Sequence, residues 1–544
     1  MNITGARAGC DRSYAERFGW AALFAGLAML LGSCAVGPDF QIPLSPEVGS
    51  FTTDHLKASN TAEGKTQRFA IDRDLPAEYW TLFHSTALNA LVTRALKDNP
   101  NIDAARAAIR VAQANVYAQV GTLFPQVSGE YDGQGGRVAT TPNGSNGGVA
   151  APVVGPNGAN PTYYSLHTAQ FNVGFVPDVW GGNRRQVENL EALRDNQRFM
   201  NEATFLTLTS NIALGAIQEA SLRAQIKVTE KLIVIAKDIL GKVKLQKDLG
   251  QLTELDVSGQ EALVAQTEAT LPPLRKALDQ NRDSLAVLSG HLPGEGLPEK
   301  FEYSGLKLPR TLPVSLPSKL VTQRPDVRAA EENMRAASAL IGAAIANRLP
   351  QFSLDGMIGR QGTQFANLFS NNPAFYFYTG IANASQVVFD GFTLQQRQRA
   401  AEAGLDQAAA QYRLAVLTAF QNVADSLYAI KHDTVGLEKA VLAEIAAKKS
   451  LDLTRIQLTQ GQIAFPQLLA AQTTYLQAEL TVIQAEQNRY SDSVALLQAL
   501  GGGWWNRDAP APIGKPKAWL VSVIGIEPDP NAIAYPGATQ NNAR

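Results

Sequence analysis

Apolar residues recur in steps of three and four at Leu405, Ala409, Tyr412, Val416, Phe420, Val423, Leu427 and Ile430, the spacing of one face of an α-helix. No proline interrupts the chain from Asp390 to Phe465. The pattern therefore predicts a single helix of about 70 residues, roughly 100 Å long at 1.5 Å per residue. A second stripe follows at Leu469, Leu476, Leu480, Ile483, Tyr490, Val494 and Leu497, and Gln460-Gly461-Gln462-Ile463-Ala464 lies between the two. Glycine takes the left-handed conformation that ends a helix, so Gly461 is the predicted point of reversal. The same arrangement occurs earlier around Leu249-Gly250-Gln251-Leu252-Thr253. Each copy reads as a long helical hairpin with its glycine at the tip, far longer than the average helix of about 11 to 12 residues.

Elsewhere the period falls from 3.6 to 2. Val127, Gly129 and Tyr131 alternate with Ser128, Glu130 and Asp132, and Ala169, Phe171, Val173 and Phe175 alternate with Gln170, Asn172 and Gly174. Later, Phe352 and Leu354 alternate with Ser353 and Asp355, and Phe375-Tyr376-Phe377-Tyr378 opens a returning strand. This predicts two pairs of strands, with Phe171, Phe175, Phe375 and Phe377 on the apolar side. A Gly/Asn/Pro-rich stretch from about Gly133 to Pro161 reads as an exposed loop between the first two strands. Apolar-out, polar-in alternation suits a membrane barrel with a wet lumen. It equally suits a soluble antiparallel sheet with one wet face. Four strands are too few for a barrel, whose smallest members have about eight, so an oligomer must supply the rest.

The strand and hairpin pieces belong to a duplicated unit. Pro100-Asn101-Ile102, Ala104-Ala105, Arg110 and Pro125-Gln126 match Pro325-Asp326-Val327, Ala329-Ala330, Arg335 and Pro350-Gln351 at a constant offset of 225 residues. Gly250 matches Gly461, and Gly290 matches Gly501, at an offset of 211. A period this long points to duplication of a supersecondary unit, not to a solenoid. Each unit reads helix, strand, loop, strand, long helix, tip turn, helix. The predicted organisation is a signal at 1–33, an N-terminal extended segment at 34–85, the first repeat at 86–300, a Pro-rich linker at 301–324, the second repeat at 325–503 and a tail at 504–544.

At the N-terminus, Arg7, Arg12 and Arg17 precede an apolar run from Phe18 to Leu31. That run is short for a membrane span and right for the core of an export signal. It ends in Leu31-Gly32-Ser33-Cys34, and small residues before a cysteine resemble a bacterial lipoprotein signal in which Cys34 carries the acyl and diacylglycerol lipid. By the same resemblance Ala35, in place of Asp, favours the outer membrane. The only other cysteine is Cys10, so the body has no pair for a disulfide or a thiolate metal site. With 48 Lys and Arg against 49 Asp and Glu, no basic excess exists to neutralise nucleic-acid phosphates. His55, His84, His167, His291 and His432 are scattered without ligand spacing. No nucleotide loop, HExxH or GxSxG occurs, so no enzyme chemistry and no cofactor beyond the lipid is expected.

Several motifs together carry a family resemblance. Cys34-Ala35-Val36-Gly37-Pro38-Asp39-Phe40, the duplicated unit, Asp178-Val179-Trp180-Gly181-Gly182-Asn183-Arg184-Arg185 with its twin Val388-Phe389-Asp390-Gly391, and Leu500-Gly501-Gly502-Gly503-Trp504 resemble the TolC-like outer membrane efflux proteins, especially their NodT-like lipoprotein branch. The resemblance covers about residues 34–505. It implies a mainly α fold with a transmembrane β part: a homotrimer with a twelve-stranded barrel in the outer membrane, continued by an α-helical tunnel into the periplasm. It implies a periplasmic adaptor and an inner-membrane pump, often of the resistance-nodulation-division type, as partners. It also places tunnel narrowing and adaptor docking at the tip turns, here Gly250, Gln251, Leu252, Thr253 and Gly461, Gln462, Ile463, Ala464. The family often follows each turn with Leu-Asp-Val. The first copy keeps Leu255-Asp256-Val257, whereas the second has Pro466-Gln467-Leu468, which leaves a single or a double acidic ring open. Asp248, Glu254 and Asp256 are the candidate gate acids, and helix capping is the competing role for them. The leading reading is a passive export conduit for small molecules such as drugs, toxic compounds or metal ions. The alternative is a lipid-anchored periplasmic coiled-coil scaffold or adaptor without a pore.

Overall fold

The computed structural model describes residues 35–46, 48–53, 59–62, 65–138 and 162–507. In chain order its elements are β1 (Ser59–Ala62), β2 (Lys65–Ile71), α1 (Thr86–Asp98), α2 (Pro100–Gly121), β3 (Gln126–Val138), β4 (Thr162–Phe175), α3 (Gly182–Asp248) and α4 (Glu254–Ala269). Then come α5 (Leu271–Leu288), β5 (Thr311–Val314), α6 (Pro317–Gln323), α7 (Pro325–Ala346), β6 (Gln351–Gly362), β7 (Tyr376–Ser385), α8 (Thr393–Thr459) and α9 (Phe465–Ala499). The duplication is visible element by element. Helices α2 and α7 each have 22 residues and begin at a proline, the one position where its missing N–H costs nothing. Helices α3 and α8 each have 67 residues, roughly 100 Å.

The return arms differ. In the second hairpin α9 runs unbroken for 35 residues. In the first, the arm breaks between α4 and α5 at Thr270, because Pro272 and Pro273 remove two backbone donors.

The chain divides into two compact units. One comprises, over the described residues, 35–41, 112–194 and 333–408, and holds a four-stranded antiparallel sheet of order β3-β4-β6-β7. The register runs from Gln126↔Gly174 to Val138↔Thr162 between β3 and β4, so β3 continues six residues into the stretch read from sequence as loop. Gly133 to Val138 are strand because β4 pairs with them, whatever their own weak β-propensity. The remainder of that loop, 139–161, lies outside the described residues. Cross-strand partners share a face, and this corrects two of the predicted lipid-side aromatics. Phe377 pairs with Gly359, which pairs with Gln170, so Phe377 stands on the polar face. Phe375 precedes the strand in a 3-10 turn. Tyr376 and Tyr378 take the apolar side instead, opposite Arg360 and Ile358.

The other unit comprises 42–111, 195–332 and 409–507 over the described residues. The segment read as a Pro-rich linker is ordered here: β5 joins β2 in parallel to make a sheet of order β1-β2-β5, and α6 follows. Pro313 is tolerated because β5 is an edge strand. Arg489 is fully buried beneath this sheet. Its Nε donates to Gln67 Oε1 at 2.9 Å, and Gln67 Nε2 donates to Ser493 Oγ at 3.1 Å. Trp504 Nε1 donates to the Gln323 carbonyl at 2.6 Å, which fixes the end of the second repeat.

Candidate functional site

Both tip turns form as the glycines predict. Gly250 and Gly461 have φ of +78° and +70°. Gly250 N–H donates to Lys247 O at 2.8 Å and Gln251 N–H to Gln246 O at 2.8 Å. Gly461 and Gln462 repeat the pattern with Leu458 O and Gln457 O, each at 3.0 Å. This is the paired bonding that closes a helix through a left-handed residue. Gln251, Thr253, Gly461 and Ala464 are exposed, while Leu252 and Ile463 are half-buried.

The two tips leave their turns differently. At the first, Asp256 Oδ2 accepts from Thr253 N–H at 2.9 Å and from Thr253 Oγ1 at 2.7 Å, a capping box that begins α4. Glu254 pairs with Lys247 across the turn and holds the Lys247 ammonium above its ordinary range. Asp248 is exposed at the end of α3. Two of the three predicted gate acids therefore have structural engagements. At the second tip Ala464 gives no side-chain cap and Pro466 supplies the pre-set helical turn. Behind the turns, Leu232, Ile239, Val243, Val257, Ala447, Leu451, Phe465, Leu468 and Tyr475 form one apolar cluster drawn from all four hairpin arms. Exposed ion pairs, Lys237–Glu268 at 2.6 Å and Lys244–Glu261 at 2.7 Å, cross the first hairpin. Such pairs contribute little each, so the apolar cluster carries the tips.

The sheet has the two faces of a membrane wall. On one side Val127, Tyr131, Phe171, Val173, Leu354, Ile358, Tyr376 and Tyr378 are exposed apolar or aromatic residues. On the other, Glu130 Oε2 accepts from Gln170 at 3.2 Å and Asn172 at 3.0 Å, and Gln361 donates to Thr168 at 3.1 Å. Among the described residues the outer strands β3 and β7 each have one partner, leaving two open edges. His167 joins the apolar side at its loop end, hydrogen-bonded to Tyr131 at 2.9 Å and Ser165 at 3.0 Å.

Cys34 lies outside the described residues. The residues right after it do not, and sequence reasoning missed how they are held. Arg185 Nη2 donates to Asp39 at 2.8 Å and its Nε to Val36 O at 3.1 Å. The signal was present in Arg184-Arg185 following Gly181-Gly182, but nothing in the sequence named Asp39 as a partner. Among the described residues, no group of His, Cys, Asp and Glu could hold a metal ion, and no helix is long and apolar enough to cross a membrane.

Known proteins are similar to this chain in sequence and in fold. The family described as outer membrane efflux protein matches residues 91–291 and 316–502. The pyoverdine export outer membrane protein OpmQ of Pseudomonas putida is 28% identical over 431 residues, covering 78% of this chain and 88% of its own. The cation efflux system protein CusC of Escherichia coli is 23% identical over 483 residues, covering 88% and 97%. The solved structure of the outer-membrane channel OprN superposes with a TM-score of 0.75 at 24% identity, covering 87% of this chain and all of that one. A solved CusC structure superposes with a TM-score of 0.72 at 22% identity, covering 86% and 100%. The two matched stretches together cover more than half of the chain, and it belongs to the outer membrane efflux protein family.

Proposed function

We propose that this chain acts as a homotrimer. Three four-stranded sheets join edge to edge into a twelve-stranded barrel in the outer membrane, and the paired long hairpins line a tunnel on the periplasmic side. The observation that carries this reading is the sheet itself, with one apolar face, one polar face and, among the described residues, two unpaired edges. An open edge in lipid leaves backbone donors and acceptors without water, which several kcal/mol per group forbids. Closure by further copies satisfies them. The lipid on Cys34 would anchor each chain, and outer membrane lipid would cover the apolar faces.

The protein is an outer membrane efflux component, and the family is one of channels, not enzymes. The tips, at Gly250 to Thr253 and Gly461 to Ala464, would dock a periplasmic adaptor, which would connect the tunnel to an inner-membrane pump of the resistance-nodulation-division type. Relatives carry names for pyoverdine, solvent and cation export, and this chain would pass small molecules. The polar sheet face offers neutral amides and carboxylates, suited to a wet conduit without one tight subsite.

Purified protein in planar bilayers tests the reading. It should show discrete conductance steps blocked from the tip side by a trivalent cation. A protein that binds bilayers through its lipid yet never conducts would be a lipid-anchored scaffold.

A further inference from the structure

The connection between β6 and β7 folds back onto the apolar face of the sheet. Residues Phe365–Phe369 form a 3-10 turn there. The Phe365 ring stands edge-on to Tyr131 and to His167, with centroids 5.9 Å apart in both pairs. Register puts Tyr131 and His167 on the apolar side. Gly362 permits the reversal, since a Cβ there would lie 2.5 Å from Asn367 Cβ. Within the turn Leu368 is buried, whereas Phe365 and Phe369, with rings 5.4 Å apart, are 53% and 74% exposed.

A single charge accompanies this turn. Arg360 pairs in register with Ala169 and Tyr376, so it stands on the apolar face. Among the described side chains of that face, no other Lys, Arg, Asp or Glu occurs. Arg360 Nη1 donates to the Leu368 carbonyl at 3.3 Å and to the Ser370 carbonyl. Among the described residues no carboxylate pairs with it. A guanidinium carries five N–H donors, so the turn engages one nitrogen and leaves Nε and Nη2. A charge facing lipid is costly unless it reaches the interface and finds a partner there. Arg360 lies nine residues beyond Gln351, where β6 begins. At about 3.3 Å per residue and a tilt of about 45°, that is roughly 21 Å up an apolar band about 25 Å tall. The guanidinium is therefore at the outer margin of the band, where headgroups begin.

We propose that this end of the sheet holds a phosphorylated lipid of the outer leaflet. The headgroup phosphate accepts a forked pair of hydrogen bonds from Nε and Nη2 of Arg360, and an acyl chain lies along Phe365 and Phe369. This rests on the barrel reading above, which puts the helix-bearing end of the sheet on the periplasmic side and the β6–β7 turn at the outer leaflet. Two observations favour a lipid over a free phosphate ion. Exposed rings flank the charge, and an apolar face continues below it. An ion would use neither.

Native mass spectrometry of the delipidated full chain in detergent, with lipid A as the probe, tests the site. The unaltered protein should retain one lipid A per chain. Arg360→Gln should weaken retention roughly ten-fold or more, the worth of a charge-assisted pair. Arg360→Lys keeps the charge without the fork and should fall between. Dephosphorylated lipid A should bind the unaltered protein no better than lipid A binds Arg360→Gln. Equal retention with and without Arg360, or with and without the phosphates, overturns the site. Displacement of lipid A by inorganic phosphate would make it an ion site and overturns the lipid assignment. Phe369→Trp, with Arg360 intact, gives a second readout should the arginine variants fail to assemble. Strong quenching of its emission by brominated lipid in vesicles supports the proposal, and emission unaffected by bromine means that protein covers the ring and overturns it. A conducting protein without Arg360-dependent lipid loses the site alone, whereas one that never conducts loses the barrel reading and the site with it.

Discussion

At the tips single side chains decide how a turn ends and what charge it presents. Asp256 spends its Oδ2 on Thr253, and Glu254 is paired with Lys247, so Asp248 is the acid with most freedom to meet a passing cation. Three like charges around a narrow bore repel one another and concentrate cations, more strongly where the local dielectric is low. Asp248→Asn should therefore weaken trivalent-cation block with tip stability unchanged. Asp256→Ala should weaken block and also cost about 1 kcal/mol of capping, the loss expected of Thr253→Ala as well. Gln467→Asp should strengthen block by adding a second ring. Conductance with and without the trivalent ion separates these outcomes. Block unchanged in both Asp248→Asn and Asp256→Ala would move the constriction away from the first tip. Cys34 is judged by chemistry: Cys34→Ser should abolish palmitate labelling while the barrel still forms, because strands and not the acyl chain bury the lipid-facing surface. Labelling that persists in the variant would place the lipid elsewhere.

Among the elements, the long helices were legible and the strands only partly so. The 3.6-residue stripes and the tip glycines are local signals, and α3, α8 and α9 follow them closely. Gly133, Gly135 and Gly136 look like loop by composition, but strand formation there depends on β4, whose partner residues lie 28 to 34 positions away, beyond any local window. Phe375-Tyr376-Phe377-Tyr378 allows either face to be apolar, and only the pairing with β6 sets the register. Strand β5 was hidden because four residues containing a proline carry no period.

Helix pairing also places two carboxyls together. Asp492 on α9 is pushed up to about 7, first by burial and then by the hydrogen bond and charge of Asp433 on α8. An unfolded Asp titrates near 3.9. The fold thus holds a proton that the unfolded chain releases, a contribution complete below about pH 4 and lost as pH rises through 7. The thermal midpoint should fall between pH 5 and pH 8, and Asp492→Asn should lessen that fall. Identical slopes in the two proteins would mean that the pair is solvated.

For the whole molecule, duplication does the work that a longer chain would otherwise do. Each chain supplies two strand pairs and two hairpins, and neither closes alone. The candidate site was legible in position, since both tips lie where the glycines put them, but not in charge. The engagement of Asp256 and Glu254 depends on side-chain contacts that spacing does not show, and the grip of Arg185 on residues 36–39 joins positions nearly 150 apart. In the proposed assembly three chains make one conduit. Native mass spectrometry of the detergent-extracted protein tests it most directly. A single dominant species of three chains that conducts when returned to a bilayer is expected, and a monomer with a conducting pore would rule the trimeric conduit out.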